Sequence, residues 1–228
     1  MALNFSTAKE LARMNGVKVL VYGKAGVGKT VLCATAPKPI IISAESGLLS
    51  LRDYDIPVME IETFADLQEA YLWLTTDKGG MQFETICLDS LTEIAEVVLN
   101  NAKAHVKDAR QAYGELIEKM LILVKQFRDI KGRNVYFTAK EARIKDDKIG
   151  TVNYQPDMPG SKLGSGLAYY FDEVFHMGIA ETKEGGKYRY LRTEPDFQHE
   201  AKDRSGVLNE LEEPDLTKIF SKITIGVK

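Results

Sequence analysis

The sequence predicts an α/β fold: a mostly parallel sheet with helices on both faces and a β-hairpin near the C-terminus. Three observations carry this. Apolar, β-branched runs without polar alternation recur through the first part of the chain, the pattern of strands buried on both faces. Segments with apolar residues three or four apart lie between them and supply the crossovers that parallel strands require. Past residue 140 two further runs, EVFHMGIAE and KYRYLRT, flank Lys-Glu-Gly-Gly, a tight-turn signal.

The elements follow in order. Residues 5–14 read as a short helix or arm in which Leu11 and Met14 are apolar. VKVLVY (17–22) is a strand ending at Gly23. Lys29 to Thr35 starts a helix that Pro37 and Pro39 stop. PIIIS (39–43) and IPVMEI (56–61) are the next strands. Thr63 caps the helix FADLQEAYLWLTT (64–76), where Leu67, Ala70, Tyr71 and Leu74 share a face. TICLD (85–89) is a buried strand leading into a helix from Leu91 to Lys107. A second helix runs from Tyr113 to Asp129, and NVYFTA (134–139) is the last strand of this half. After it come a polar stretch with Gly150 and Pro156 and a short helix near 161–170. The hairpin strands at 173–181 and 187–193 follow, then a helix over EPDLTKIFSKI (213–223) with Pro in its first turn. One domain is expected, with residues 1–16 an N-terminal arm and 17–228 the core.

The 228 residues suit a single α/β domain, and 44% hydrophobic with 28% charged content is ordinary for a globular chain. No apolar run reaches the ~18 residues of a membrane span. The N-terminal segment has no apolar h-region, and Cys33 and Cys87 sit apart in apolar stretches as reduced thiols, so a cytoplasmic protein is expected. The cysteines and histidines have no zinc-ligand spacing. A net charge of −3 argues against a bulk basic nucleic-acid coat, though not against a local basic groove.

The chemistry is concentrated in GKAGVGKT, a full match to G-x-x-x-x-G-K-[ST] between a strand and a helix. Its residues, Gly23, Lys24, Ala25, Gly26, Val27, Gly28, Lys29 and Thr30, followed by Val31, are the candidate nucleotide cradle. Glycines let the backbone curl until its N–H groups point at phosphate oxygens, and the helix adds its positive end. Lys29 is expected to reach the β- and γ-phosphates and Thr30 to hold Mg²⁺. Asp89 ends an apolar strand at the Walker B position, where a carboxylate holds the Mg²⁺ shell; capping the next helix is its other reading. Glu45 follows the strand PIIIS, at the crevice end of a parallel sheet. It is the candidate to polarise the attacking water, and a glutamate favoured by a helix dipole is the alternative. Lys140 follows NVYFTA at another strand end and is a candidate γ-phosphate sensor or a surface lysine.

Together these pieces resemble the RecA-type recombinase core, over about residues 5–195. IIISAESGLLSL resembles the family segment whose glutamate activates the hydrolytic water, which the resemblance assigns to Glu45. TICLDSL resembles the Walker B strand running into Asp-Ser, matched by Asp89 and Ser90. NVYFTAKEAR resembles the strand ending in a nucleotide sensor; Lys140 stands where the family usually has Gln. The compact length, with PDMPGSKLG, FDEVFHMG and AKDR, resembles phage-encoded RecA-core ATPases that assist single-strand annealing.

The resemblance implies a RecA-like P-loop NTPase core using ATP and Mg²⁺ on single-stranded DNA, self-assembly into a ring or filament, and a single-strand-binding protein as an associate. No guanine-reading Asn-Lys-x-Asp occurs. Phe5 and Ala8, in NFSTAKEL, resemble a Phe-x-x-Ala arm that adds a strand to a neighbouring subunit. In the alternative, Phe5 packs on its own core ahead of a helix capped by Ser6 or Thr7.

The loop EARIKDDKIGTVNYQPDMPGSKLG (141–164) supplies the DNA candidates Arg143, Lys145, Lys148 and Lys162, with Tyr154 to stack a base; a solvated hairpin and loop is the plainer reading. Lys103, His105, Lys107 and Arg110 form a second basic candidate or a polar helix end. Arg192, on KYRYLRT, is a candidate for acting in trans on a neighbour's γ-phosphate, with an edge-strand surface arginine as the alternative. Arg189 shares the face of Arg192 only if a bulge intervenes. The competing functions are a nucleotide or small-molecule kinase, which would need an arginine-rich lid not visible here, and a non-hydrolysing adaptor.

Overall fold

The computed structural model describes residues 5–45, 48–145 and 150–225. Its centre is a nine-stranded sheet. The strands are β1 (Lys18–Tyr22), β2 (Pro39–Ser43), β3 (Val58–Glu60), β4 (Thr85–Asp89), β5 (Asn134–Ala139), β8 (Glu173–Glu181), β9 (Lys187–Arg192), β10 (Lys202–Asp203) and β11 (Leu211–Glu212). Their order is β11-β9-β8-β1-β5-β4-β2-β3, with β10 paired to β8. The pairs from β3 through β8 are parallel, and β9, β10 and β11 are antiparallel additions at one end. The fold class matches the expectation. A separate hairpin, β6 (Glu141–Lys145) with β7 (Val152–Pro156), occupies the polar stretch where a loop was one reading.

Strand alternation divides the core in two. Leu20, Tyr22, Ile40, Ile42, Ile86, Leu88 and Phe137 face one side of the sheet, where α3 (Phe64–Thr76), α4 (Leu91–His105), α5 (Ala109–Arg128) and α6 (Ser161–Leu167) supply their apolar stripes. Val19, Val21, Ile41, Cys87, Tyr136, Phe175 and Met177 face the other side, with Leu32 of α2 (Lys29–Leu32) and Leu216, Ile219 and Phe220 of α7 (Leu216–Ile225). Cys33 and Cys87 are free, buried thiols on this second side. No helix among the described residues is long and apolar enough to cross a membrane.

Several boundaries moved for local reasons. α2 lasts only four residues and tightens into a 3-10 turn over Cys33–Thr35 before Pro37. α5 begins at Ala109 rather than Tyr113 because the Asp108 carboxylate accepts the Arg110 N–H at 2.9 Å. The last helix starts at Leu216, after Pro214 rather than at it. Thr63 does cap α3, in a reciprocal box with Asp66. α1 (Ala8–Asn15) is capped by Thr7 in the same way with Glu10. Phe5 precedes it with 89% of its surface exposed, so its packing on the chain's own core does not occur.

Candidate functional site

A cavity of about 870 Å³ opens at the C-terminal end of β1. Its walls bring together Lys24, Ala25, Gly26, Gly28, Lys29, Thr30 and Val31 with Glu45, Asp89, Ser90 and Lys140. These residues come from the ends of four strands, so the parallel sheet assembles the site by placing all those ends on one edge.

The loop is shaped by its glycines. A methyl group on Gly23 would lie 2.5 Å from the Met177 carbonyl oxygen, so only glycine lets β1 leave the sheet beside β8. Gly28 has φ +112°, a conformation that side chains resist, and it delivers the chain into α2. The Lys29 ammonium folds back on the loop and donates to the carbonyls of Gly23 at 2.7 Å and Lys24 at 3.0 Å. Burial lowers its pKa from the ordinary lysine value, and the charges of Asp89 and Glu45 oppose that shift. Tyr136 pins the start of α2 by donating its hydroxyl to the Lys29 carbonyl at 2.9 Å.

Asp89 is 1% exposed. One carboxylate oxygen accepts the Thr138 hydroxyl, and the other is buried with no partner among the described residues. An orphaned, buried carboxylate oxygen in the cavity that Thr30 also lines fits a hard cation such as Mg²⁺. Thr30 and Asp89 would hold the ion, which when bound neutralises charge on the phosphates. The Asp89–Ser90 peptide is cis.

Ser90 caps α4 and also donates its hydroxyl to Glu45 at 3.2 Å, which ties the two predicted carboxylate positions together. Burial, and next the charge of Asp89, raise the Glu45 pKa above the ordinary carboxylate value. Lys140 lines the same cavity while pairing with Glu93, and this bond raises its pKa.

The remaining candidates lie elsewhere. Arg192 is held in its own chain, 3.2 Å from Asp196 and 2.7 Å from Glu210, and does not line the cavity. The β8–β9 register runs unbroken from Glu181↔Lys187 to His176↔Arg192, so no bulge puts Arg189 and Arg192 on one face. Arg189 instead reaches the loop, and its Nε donates to the Val27 carbonyl at 2.7 Å.

Arg143 and Lys145 are exposed on β6. Tyr154 is not presented to a base: its ring stacks on His199 at 5.0 Å and it packs against the core. Lys148 lies outside the described residues, as do the side chains of Lys162 and Ala8. Lys103, His105, Lys107 and Arg110 cluster at the α4–α5 junction, with the Lys103 ammonium 5.7 Å from the Tyr113 ring centre.

Sequence reasoning did not place Glu141, Asp157, Met177, Arg189 and Pro214 at the nucleotide site, and all of them line the cavity. The first four arrive through the β6–β7 hairpin and the β8–β9 register, and Pro214 with the segment before α7, none of which a local pattern announces. A second cavity of about 410 Å³ lies across the loop. There Glu141 bonds His176 at 2.9 Å, and the His176 ring sits 4.1 Å from that of His199. Burial, and next the charge of His199, push the His176 pKa down to about 4.

Two solved structures are similar in fold. The KaiC-like protein PH0186 from Pyrococcus horikoshii OT3 is 17% identical with a TM-score of 0.44, over 78% of this chain and 77% of that one. The flagellar accessory protein FlaH from Methanocaldococcus jannaschii is 12% identical with a TM-score of 0.46, over 87% and 84%. No curated protein matches the chain. The family model of the AAA domain, AAA_24, matches residues 15–205, a span holding the whole phosphate loop, Glu45 and Asp89. The chain belongs to the AAA domain family and carries the site of a P-loop ATPase.

Proposed function

We propose that this protein is a RecA-like ATPase that works on single-stranded DNA in homologous recombination or annealing, in a phage setting. The observation that carries the reading is the convergence of Lys29, Thr30, Glu45 and Asp89–Ser90 on one cavity. The β6–β7 hairpin springs directly from that cavity at Lys140 and Glu141 and presents Arg143 and Lys145 outward.

In this reading Lys29 and the loop amides hold ATP, and Thr30 and Asp89 hold Mg²⁺. Glu45 takes the proton of the attacking water, Lys140 senses the γ-phosphate, and DNA on the hairpin biases the site. Subunits join head to tail through Phe5 and Ala8, Arg192 acts on a neighbour's nucleotide, and a single-strand-binding protein is an associate on the DNA.

The test is ATP turnover with and without single-stranded DNA, with Lys29→Ala as the control. Stimulated turnover in the wild type that disappears in Lys29→Ala is expected. Turnover indifferent to every nucleic acid would sink the DNA reading, and phosphate transfer to an acceptor would replace it with a kinase.

A further inference from the structure

The triphosphate end of the cavity is set by Asp89 on β4 and Glu45 after β2. Arg189 comes to the same loop from β9, and β9 and β4 lie on opposite sides of β1 in the sheet. At about 4.8 Å per strand, β9 and β4 are about 19 Å apart. The Arg189 side chain reaches back to that loop, so with the phosphates turned toward Asp89 it is the β8–β9 side of the loop, where Arg189 lies, that is left for the nucleoside.

The cavity also has apolar walls. Leu32, Met177 and Pro214 line it together with Thr35, and Arg189 adds a cation beside Met177 at Gly28. The Arg189 Nε is spent on the Val27 carbonyl. A methyl group on Gly28 would lie 3.3 Å from that Nε and 3.4 Å from Cδ, so the side chain lies along the loop and Gly28 leaves room for it. Its terminal guanidinium nitrogens have no partner among the described residues, whereas Arg128, Arg192 and Arg204 each pair with a carboxylate. The position of the guanidinium plane is fixed at one edge while the rest stays available. Planar cations of this kind stack on aromatic faces, and every nucleobase offers one.

We propose that Arg189 binds the nucleobase of the chain's own nucleotide by stacking, with Val27 and Gly28 holding it in place. The proposal rests on the P-loop reading of the cavity. It makes Arg189 a binding residue acting within one subunit and does not need an assembly or DNA.

The test titrates Mg²⁺-ADP and Mg²⁺-pyrophosphate into the wild type, Arg189→Ala, Arg189→Lys and Lys29→Ala. Arg189→Ala should weaken ADP on the order of tenfold and leave pyrophosphate within about twofold. Arg189→Lys should not restore ADP binding, because an ammonium has no plane to stack. Equal losses for ADP and pyrophosphate would mean that Arg189 braces the loop or touches phosphate, and would overturn the proposal. So would unchanged ADP binding in a folded Arg189→Ala. Binding of ADP that ignores Lys29→Ala would instead bring down the P-loop reading itself. Arg189 is exposed, so the melting temperatures of the ligand-free variants confirm that each is folded.

Discussion

Burial and the neighbouring Asp89 charge make Glu45 hold a proton more tightly than an ordinary carboxylate. That is the shift a group needs to accept a proton from water near neutral pH. Glu45→Gln should keep ATP binding and lower single-turnover hydrolysis on the order of 10²–10⁴-fold. A loss below about threefold would leave Glu45 only its contact with Ser90.

A second carboxyl titrates for structural reasons. Glu173 pairs across β8–β10 with Asp203 and is 2% exposed. Burial, then the Asp203 charge, push its pKa up to about 8 from an ordinary 4.5. The folded chain thus keeps a proton that the unfolded chain gives up. The stability this provides is full below pH 4.5 and is lost as pH rises through about 8. Glu173→Gln keeps a donor for Asp203 and removes the titration. Its melting temperature should gain on the wild type between about pH 5 and about pH 8.5. A constant difference across that range would show that the Glu173 proton is not linked to folding.

At the scale of elements, the arm before α1 has a defined consequence. Thr7 and Glu10 cap the helix reciprocally, while Phe5 stands 89% exposed beside it. A buried aromatic anchor in an interface is commonly worth about 2 kcal/mol or more. If the arm joins subunits, Phe5→Glu should reduce oligomer mass in light scattering without lowering the monomer's melting temperature, and an unchanged mass would exclude it.

The parallel strands were legible because each is an unbroken apolar run, and the Walker A loop because its residues are contiguous. Glu45 and Asp89 were legible because strand ends meet at one edge of a parallel sheet. Arg189 was not, because its role depends on the β8–β9 register and on the parity of residues 189 and 192. Nor was the burial of Tyr154. An aromatic in a polar stretch looks available until His199, far along the chain, comes to lie on it. β10 and β11, at two residues each, carry no periodicity to find.

At the scale of the whole molecule, the sheet order separates the duties around β1. β4 and β2 on one side bring the carboxylates and β5 brings Lys140, while β8 and β9 on the other bring Met177 and Arg189. The far face of the sheet is closed by α7, which is tied to the end of the loop helix. The Leu216 N–H donates to the Thr35 hydroxyl at 2.9 Å, and the Thr217 hydroxyl donates to the Thr35 carbonyl at 2.6 Å. Thr35 and Pro214, either side of that knot, both line the cavity. No residue of α7 lines the cavity among the described residues, but its first turn holds Thr35, so a bound nucleotide is expected to oppose local opening of α7. Amide hydrogen exchange reads such openings directly. Saturation at about a hundredfold excess over Kd should raise the opening free energy of α7 by at most about 2.7 kcal/mol, slowing exchange at Ile219 and Phe220 by up to about a hundredfold. The amide of Leu74 in α3, across the sheet, should keep its rate unless it exchanges by global unfolding. Protection that appears in α2 but not in α7 would show that the C-terminal helix opens without the nucleotide noticing.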